Sequence, residues 1–425
     1  MNPMFKHALA VVFALSCAAC LRINVHGDPA AAGRLPEVIA SAMAALLPLR
    51  VATYNASLYS DEAGGLLRRL QRNDGHARKI AAVLQRVRPD LVLLNEFDYD
   101  AGQRAADLFQ RDYLEAPQPG GGDPLHYPYR FLAPVNTGVP SGLDLDGNGS
   151  NGDNGRERGN DAWGYGLHPG QYGMLVLSRY PIDLDTVRTF QALRWSAMPD
   201  ASRPVDPASR EFHYPDATWR QLRLSSKSHW DVPVHTPQGL LHFLVSHPTP
   251  PVFDGPEDRN GARNADEIHL WRQYISADAH SPEAQSWLCD DAGRCGGLDV
   301  DARFVIAGDL NNDPVDGDGR HAAIMELLEH PRVLRYPTPR GDGGIAVAAD
   351  YAQAGIVHRG SPAHATGDFG PKVGTLRLDY VLPSVGFSVQ DSGVFWPVQG
   401  DRDAGIADAS DHHLVWIDLI SAGTR

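Results

Sequence analysis

Basic charge is what this 425-residue chain lacks most: 38 lysines and arginines stand against 52 acidic residues, a formal net charge of −14. That balance argues against a broad cationic surface for gripping polyanions, and so against a general DNA-binding protein. It leaves room for an acidic nuclease, whose metal ions can offset local repulsion. Cysteine is scarce as well, with four in all. Cys17 and Cys20 lie at the start, leaving Cys289 and Cys295 downstream with no second pair of soft ligands, which disfavours a thiolate metal site. In an exported chain their spacing favours a local disulfide pinning a surface loop, the alternative being two idle thiols. No linker divides the chain, so residues 49–425 read as a single domain with loop insertions around one core. The apolar stretch Ala8–Ala19 follows a basic start at Lys6 and is too short to span a bilayer, which marks residues 1–20 as an export signal to the periplasm or exterior. Cys17-Ala18-Ala19-Cys20 resembles the end of a lipoprotein signal, with Cys17 where an aliphatic residue is usual. Lipidation at Cys20 and release both stay open. Residues 21–48, Ala-rich, read as a tether or short helix.

The rest of the chain alternates strand-like and helix-like patterns. Strands are expected at Leu49–Asn55, Asp90–Asn95, Tyr172–Ser178, Leu222–Ser228, Leu241–Ser246, Phe304–Ala307, Leu376–Leu382 and Leu414–Ile420. Helices are expected at Gly75–Arg88, where Ile80, Val83, Leu84 and Val87 recur at helical spacing, and at Ala262–Tyr274 and His321–Leu328. The mixture implies a layered α/β architecture. Between these elements lie Gly-, Pro- and Asp-rich stretches at 117–124, 141–160 and 199–215, loops of a length that usually shapes a site.

Chemistry gathers at the ends of the expected strands. Phe304-Val305-Ile306-Ala307 is followed by Gly308-Asp309-Leu310-Asn311-Asn312-Asp313, and Ser410-Asp411-His412-His413 runs into Leu414-Val415-Trp416-Ile417. Acid, amide and imidazole groups set beside buried strands are the parts of a metal-assisted phosphoester hydrolase. Each group admits a plainer reading by itself: Asn55 or Asp379 as a strand-end cap, Glu96 as a solvated carboxylate beside Asp98 and Asp100, His247 as the close of a strand before Pro248-Thr249-Pro250-Pro251.

Together, Thr53-Tyr54-Asn55, Leu94-Asn95-Glu96, Ser246-His247, Gly308-Asp309-Leu310-Asn311, Leu378-Asp379-Tyr380 and Ser410-Asp411-His412 resemble the endonuclease/exonuclease/phosphatase superfamily in kind and in order, over about residues 49–420. Gly173 to Ile182 is similar to that family's strand and turn before a central hairpin. The resemblance implies a four-layer α/β sandwich, two packed mixed β-sheets flanked by helices, and hydrolysis of phosphoesters in nucleic acids, inositol phosphates, sphingomyelin or other phosphates. By the same resemblance Glu96 binds the divalent cation with Asn55 beside it, and a hard, oxygen-rich site suits Mg²⁺ or Mn²⁺. His412 is then the general base and Asp379 fixes its tautomer. Asp309 positions the nucleophile or the leaving-group proton, while Asn311 and His247 donate to phosphoryl oxygens. Asp411 is a second acidic contact to metal or water, provided the chain turns there, since neighbours on a strand face opposite ways.

Two lesser signals stand apart. Lys227 and His229 share one face of an alternating segment, which either receives a phosphate or is a solvated sheet surface. Asp144-Leu145-Asp146-Gly147-Asn148-Gly149 copies the opening of a calcium loop, but Gly155 occupies position twelve, so Asp144, Asp146 and Asn148 form either a looser Ca²⁺ cage completed by Asp153, Glu157, Asn160 or Asp161, or a turn. The function these readings favour is an exported, monomeric, metal-dependent phosphodiesterase or phosphomonoesterase of small-molecule or lipid-linked substrates, with no stable protein partner. An extracellular endonuclease acting on DNA or RNA and a non-catalytic, calcium-stabilised surface binding protein are the alternatives.

Overall fold

The computed structural model describes residues 47–152, 155–276, 280–282 and 286–422. The expected export signal and all but the end of the tether lie outside them, as does Asp153. Residues 48–425 form one compact unit.

Thirteen strands are named in chain order among the described residues. They are β1 Leu49–Leu58, β2 Leu91–Phe97, β3 Tyr129–Phe131, β4 Met174–Ser178, β5 Arg188–Thr189, β6 His229–Thr236, β7 Gly239–Ser246, β8 Phe304–Asp309, β9 Gly367–Asp368, β10 Thr375–Leu376, β11 Asp379–Pro383, β12 Phe387–Val394 and β13 Val415–Ser421. Six of them form one sheet in the order β12-β13-β1-β2-β4-β3, and five form a second in the order β11-β8-β7-β6-β5. Both sheets are mixed: β1 and β2 are parallel, as are β7 and β8, while the other pairs are antiparallel. The central strands are buried on both faces, so their side chains run as continuous apolar stretches such as Leu91-Val92-Leu93-Leu94 rather than alternating.

Three apolar clusters define the layers. Between the sheets lie Val51, Leu93 and Ile417 from the first and Val232, Phe243 and Val305 from the second. The outer face of the first sheet is covered by helices α1 Gly65–Gln71 and α2 Gly75–Val87. Helix α2 buries Ala77, Ile80, Val83, Leu84 and Val87, one stripe at 3.6-residue spacing. It opens with Asp74, whose carboxylate accepts the Ala77 amide at 2.9 Å, and closes at Arg88 in the left-handed region. Helices α3 Arg259–Ser276 and α4 His321–Leu328 cover the second sheet. A further helix, α5 Asp342–Gln353, follows. Helix, sheet, sheet and helix make the four layers that the resemblance implies.

The segment expected as a strand at 222–228 is irregular, and the strand begins at its end, with His229. Ser225 to Ser228 are polar yet buried, and their backbone is held from outside any ladder: Glu267 accepts the Ser226 amide at 2.7 Å and Asn136 donates to the Lys227 carbonyl at 2.9 Å. Pro233 argues on sequence against a strand here. It is tolerated because only the short segment at 181–183 lies along β6 there, and the Pro233 carbonyl still accepts the Asp183 amide at 2.9 Å. The single strand expected at 376–382 is broken into β10 and β11, since Thr366 Oγ1 takes the amides of Leu378 and Asp379 at 2.9 and 3.0 Å.

Candidate active site

The chemistry-bearing residues meet because strand tips of both sheets share one edge. Asn55 pairs with Asn95 across β1 and β2, and Asp379 stands directly opposite Asp309 across β11 and β8. β7, alongside β8, ends at Ser246 and delivers His247, and His412 precedes β13, the antiparallel neighbour of β1. Gly308 permits the approach of β8 to β7, for a Cβ there would lie 2.1 Å from the Ser246 carbonyl oxygen. Asn95, buried, braces the two sheets: its side-chain oxygen accepts the Asp309 amide at 3.1 Å and its nitrogen donates to the Ser246 carbonyl at 3.3 Å. Glu96 and Asn311 both hold left-handed backbone, with φ of 60° and 52°. Strain of this kind in non-glycine residues is commonest where function needs it.

Asp309 is the centre. Its Oδ1 accepts the Asn311 amide at 2.9 Å, and its Oδ2 accepts Asn55 Nδ2 at 3.1 Å while facing His247 Nε2 at 3.4 Å and His412 Nε2 at 3.6 Å. The Asn55 amide also lies close enough to Glu96 to favour its ionised form. The other ring nitrogen of His412, Nδ1, pairs with Asp379 Oδ2 at 2.8 Å, and Thr366 Oγ1 donates to that same oxygen at 2.7 Å. The ring of Phe369 meets His412 edge to face at 5.3 Å.

Burial and charge then set each group apart. Burial alone would raise Asp309, but His412, His247 and the Asn55 amide outweigh it and hold the carboxyl low, an anion. Asp379 lies in the same buried neighbourhood, and desolvation wins there, raising it to about 6. Desolvation opposes a proton on His412, yet Asp379 and Asp309 together hold its pKa well above the ordinary value. His247 is pushed down to about 4, by burial first and then by Lys227. Glu96 is raised, again by burial, against the Asn55 amide and His412.

Not every expected role matches its geometry. Neutral His247 donating Nε2–H to Asp309 presents Nδ1, buried and unpartnered, as an acceptor rather than the phosphate donor expected of it. Asn311 spends an amide hydrogen on the Pro248 carbonyl at 3.1 Å. The His and Asp atoms that gather within 4.8 Å are those of Asp309, Asp379 and His412, not Glu96 with Asp411. Their short contacts are acid–imidazole pairs, the arrangement of a base with its orienting groups. Asp411 is exposed beside this cluster, its carboxylate accepting Ser410 Oγ at 3.3 Å.

The pair expected to share a face separates. Lys227 is buried, close enough to Glu267, Glu96 and Asp309 to feel their charge, although burial still lowers its pKa. His229 points into the core with both nitrogens engaged, Nδ1 with Ser225 Oγ at 2.6 Å and Nε2 with the Glu267 carbonyl at 2.9 Å, and its ring lies 5.0 Å from Trp271. It has no atom to offer a phosphate, which corrects the expected alternation: Lys227 precedes β6 and does not share its pleat. In the acidic loop, carboxylate oxygens of Asp144, Asp146 and Asp161 lie within 4.8 Å of one another. They also accept loop amides, Gly147 and Gly149 on Asp144 and Leu145 and Gly152 on Asp161, while Asn148 caps the Ser150 amide. Cys289 and Cys295 form a disulfide.

A family model described as "Endonuclease/Exonuclease/phosphatase family" matches residues 52–412. No curated protein matches the sequence. Among solved structures, an endonuclease/exonuclease/phosphatase from Beutenbergia cavernae is similar at 19% identity and a TM-score of 0.47, covering 89% of this chain and 72% of that one. Sphingomyelinase C from Streptomyces griseocarneus follows at 18% identity and 0.40, with 87% and 99% covered. A Staphylococcus aureus beta toxin mutant with bound magnesium ions gives 14% and 0.38, with 88% and 99% covered.

Proposed function

Since this chain belongs to the endonuclease/exonuclease/phosphatase family, whose members are metal-dependent phosphoester hydrolases, we propose that it is an exported hydrolase transferring the phosphoryl group of a small-molecule or lipid-linked phosphoester to water. The observation that carries this reading is His412, gripped at Nδ1 by Asp379 and turned at Nε2 toward the anionic Asp309. Those two carboxylates favour the protonated ring; a divalent cation bound among the site's acids would offset their charge, and the neutral imidazole so held would accept a proton at Nε2 from an attacking water, with Asp379 stabilising the imidazolium that forms. Asp309, kept ionised, orients that water, and the leaving oxygen takes its proton from solvent as the P–O bond breaks. Lys227, an ammonium beside Glu96 and Asp309, opposes the charge that grows on the phosphoryl oxygens. Asn311 directs its remaining amide hydrogen to the same oxygens.

The donor set fits a hard divalent cation. Glu96 reaches the cleft half-buried, desolvation raises its carboxyl, and Asn55 is its neutral neighbour, an environment that a nearby Mg²⁺ or Mn²⁺ would relieve. Bound there, with Asp411 at the rim, such an ion would polarise a phosphoryl oxygen. The acidic balance of the chain favours small or lipid-linked esters over nucleic acid.

Purified protein lacking residues 1–20 should hydrolyse at least one of sphingomyelin, inositol phosphates, chromogenic mono- or diesters and nucleic acids. Turnover should need Mg²⁺ or Mn²⁺ and disappear in His412→Ala. Turnover that survives both a chelator and that substitution overturns the mechanism.

A further inference from the structure

The polar residues of helix α3 are unusual in facing inward. Asn264, Asp266 and Glu267 are all buried, although a surface helix normally turns such side chains to water. Two of them grip the loops that carry the candidate active site. Glu267 is fully buried, and its carboxylate accepts two backbone amides, that of Ser226 on Oε1 at 2.7 Å and that of Thr249 on Oε2 at 2.6 Å. Ser226 precedes Lys227, and Thr249 lies two residues beyond His247. Asn264 donates to the Thr249 carbonyl at 2.8 Å and to the Leu310 carbonyl at 2.9 Å, next to Asn311.

We propose that Glu267 is a positioning residue for the phosphate-facing side of the cleft: one carboxylate, through two amides, fixes the loops bearing Lys227 and His247, and its charge offsets the buried Lys227 ammonium. This rests on the hydrolase reading above. A buried carboxylate is tolerated only when its lone pairs are filled and an opposite charge stands near. The amides of the site's own loops fill its lone pairs, and two cations stand near it, the buried Lys227 and, one turn earlier on the helix, Arg263. Neither loop belongs to a strand at these positions, so without the carboxylate the Ser226 and Thr249 amides would be buried and unpaired. The loops would then move to find partners, carrying Lys227 and His247 away from Asp309. Glu267 touches no reacting atom and acts through those two side chains.

Glu267→Gln tests this, because the amide keeps the shape but presents an N–H₂ to one of the two backbone donors. The variant should lower kcat/KM about 10- to 100-fold, as misplacement of a site group on the ångström scale does. The decisive measurement is a double-mutant cycle with Lys227→Met. If Glu267 works through Lys227 as well as His247, Glu267→Gln in that background costs a smaller factor than in wild type, the remainder being the His247 share. A loss of the same size in both backgrounds, or kcat/KM within about 2-fold of wild type for Glu267→Gln, overturns the proposal. Hydrogen exchange at the Ser226 and Thr249 amides gives a readout independent of turnover. At least one should lose protection in the variant, and unchanged protection of both overturns the clamp. Should wild type hydrolyse no phosphoester while one or both amides lose protection, the clamp stands and the hydrolase reading falls. If Glu267→Gln does not fold, Glu267→Asp, which keeps the charge but withdraws the oxygens by one methylene, enters the same cycle with the same criteria.

Discussion

Two buried carboxylates face each other across β8 and β11, and their surroundings separate them. Asp309 receives hydrogen bonds or positive charge from Asn55, His247 and His412, whereas Asp379 shares one oxygen between His412 and Thr366 and leaves Oδ1 buried without a partner. The first is therefore held as an anion, while the second has its charge tied to a single imidazole. Replacing Asp379 by Asn should leave the fold intact but set the wrong His412 tautomer, lowering kcat by about 10²- to 10⁴-fold with KM little changed. Steady-state kinetics on the best substrate would check it, and a loss confined to KM would count against the assignment. Lys227 and His229 offer a contrast within three residues of sequence. Lys227→Met should cut kcat/KM by at least about 10-fold, whereas His229→Gln should keep kcat/KM within a few-fold and lower the unfolding free energy instead. Equal effects on turnover would mean that the core placement of His229 has been misjudged.

Strands were legible wherever apolar runs were continuous, as in β2 and β8, because strands buried on both faces leave that mark. β6 was hidden by Pro233 and by the buried serines before it, whose burial only Glu267 and Asn136 make tolerable. α5 was hidden too: its opening glycines and short apolar side chains make no clear stripe. The disulfide belongs to this level, closing a loop of six residues' separation between Cys289 and Cys295. That loop is also tied down by Asp290, which takes the Arg188 guanidinium at 3.0 Å, and by Asp291, which takes the Gln191 and Ala192 amides at 2.8 and 2.7 Å. Removing the bond by Cys289→Ser/Cys295→Ser should cost about 2 kcal/mol in urea unfolding, the loop-entropy value for so short a closure, or less if those hydrogen bonds hold the loop in the unbridged protein. Failure to fold at all would show that the loop carries more of the structure than its size suggests.

Charge and proton balance act on the molecule entire. His229 and His413 are buried, and burial pushes each imidazole down to about 3. Their unfolded value lies near 6.5, so below that pH the unfolded chain binds protons the folded one refuses, and stability is lost as pH falls. At pH 5.5 each contributes about 1.4 kcal/mol of destabilisation. His242, where Asp231 outweighs burial and raises the pKa, works in the opposite sense, so the informative comparison is wild type against His413→Leu. Between pH 7.5 and 5.5 the urea midpoint of the variant should fall less than that of wild type, and parallel slopes would refute this. The net charge of −14 makes a second whole-molecule prediction. Any affinity for duplex DNA should be weak and fall steeply with salt, while hydrolysis of a small neutral-tailed phosphoester should change little between about 50 and 200 mM salt. Tight, salt-resistant DNA binding would instead favour the nuclease reading.

Sequence alone was enough for the family and for setting Asn55, Glu96, Asp309, Asp379 and His412 at strand ends, because chemistry placed beside an apolar run keeps its order along the chain. It could not say which of those groups touch. Asn55 meets Asp309 across 254 positions and His412 meets Asp379 across 33, and only the stacking of the two sheets brings Asn55 to Asp309. Nor could it separate Lys227 from His229, reveal Asn95 as the brace between sheets, or mark Thr366, Asn264 and Glu267 as supports. Those residues act by satisfying buried polar groups on distant segments, a demand that exists only once the tertiary fold has taken water away.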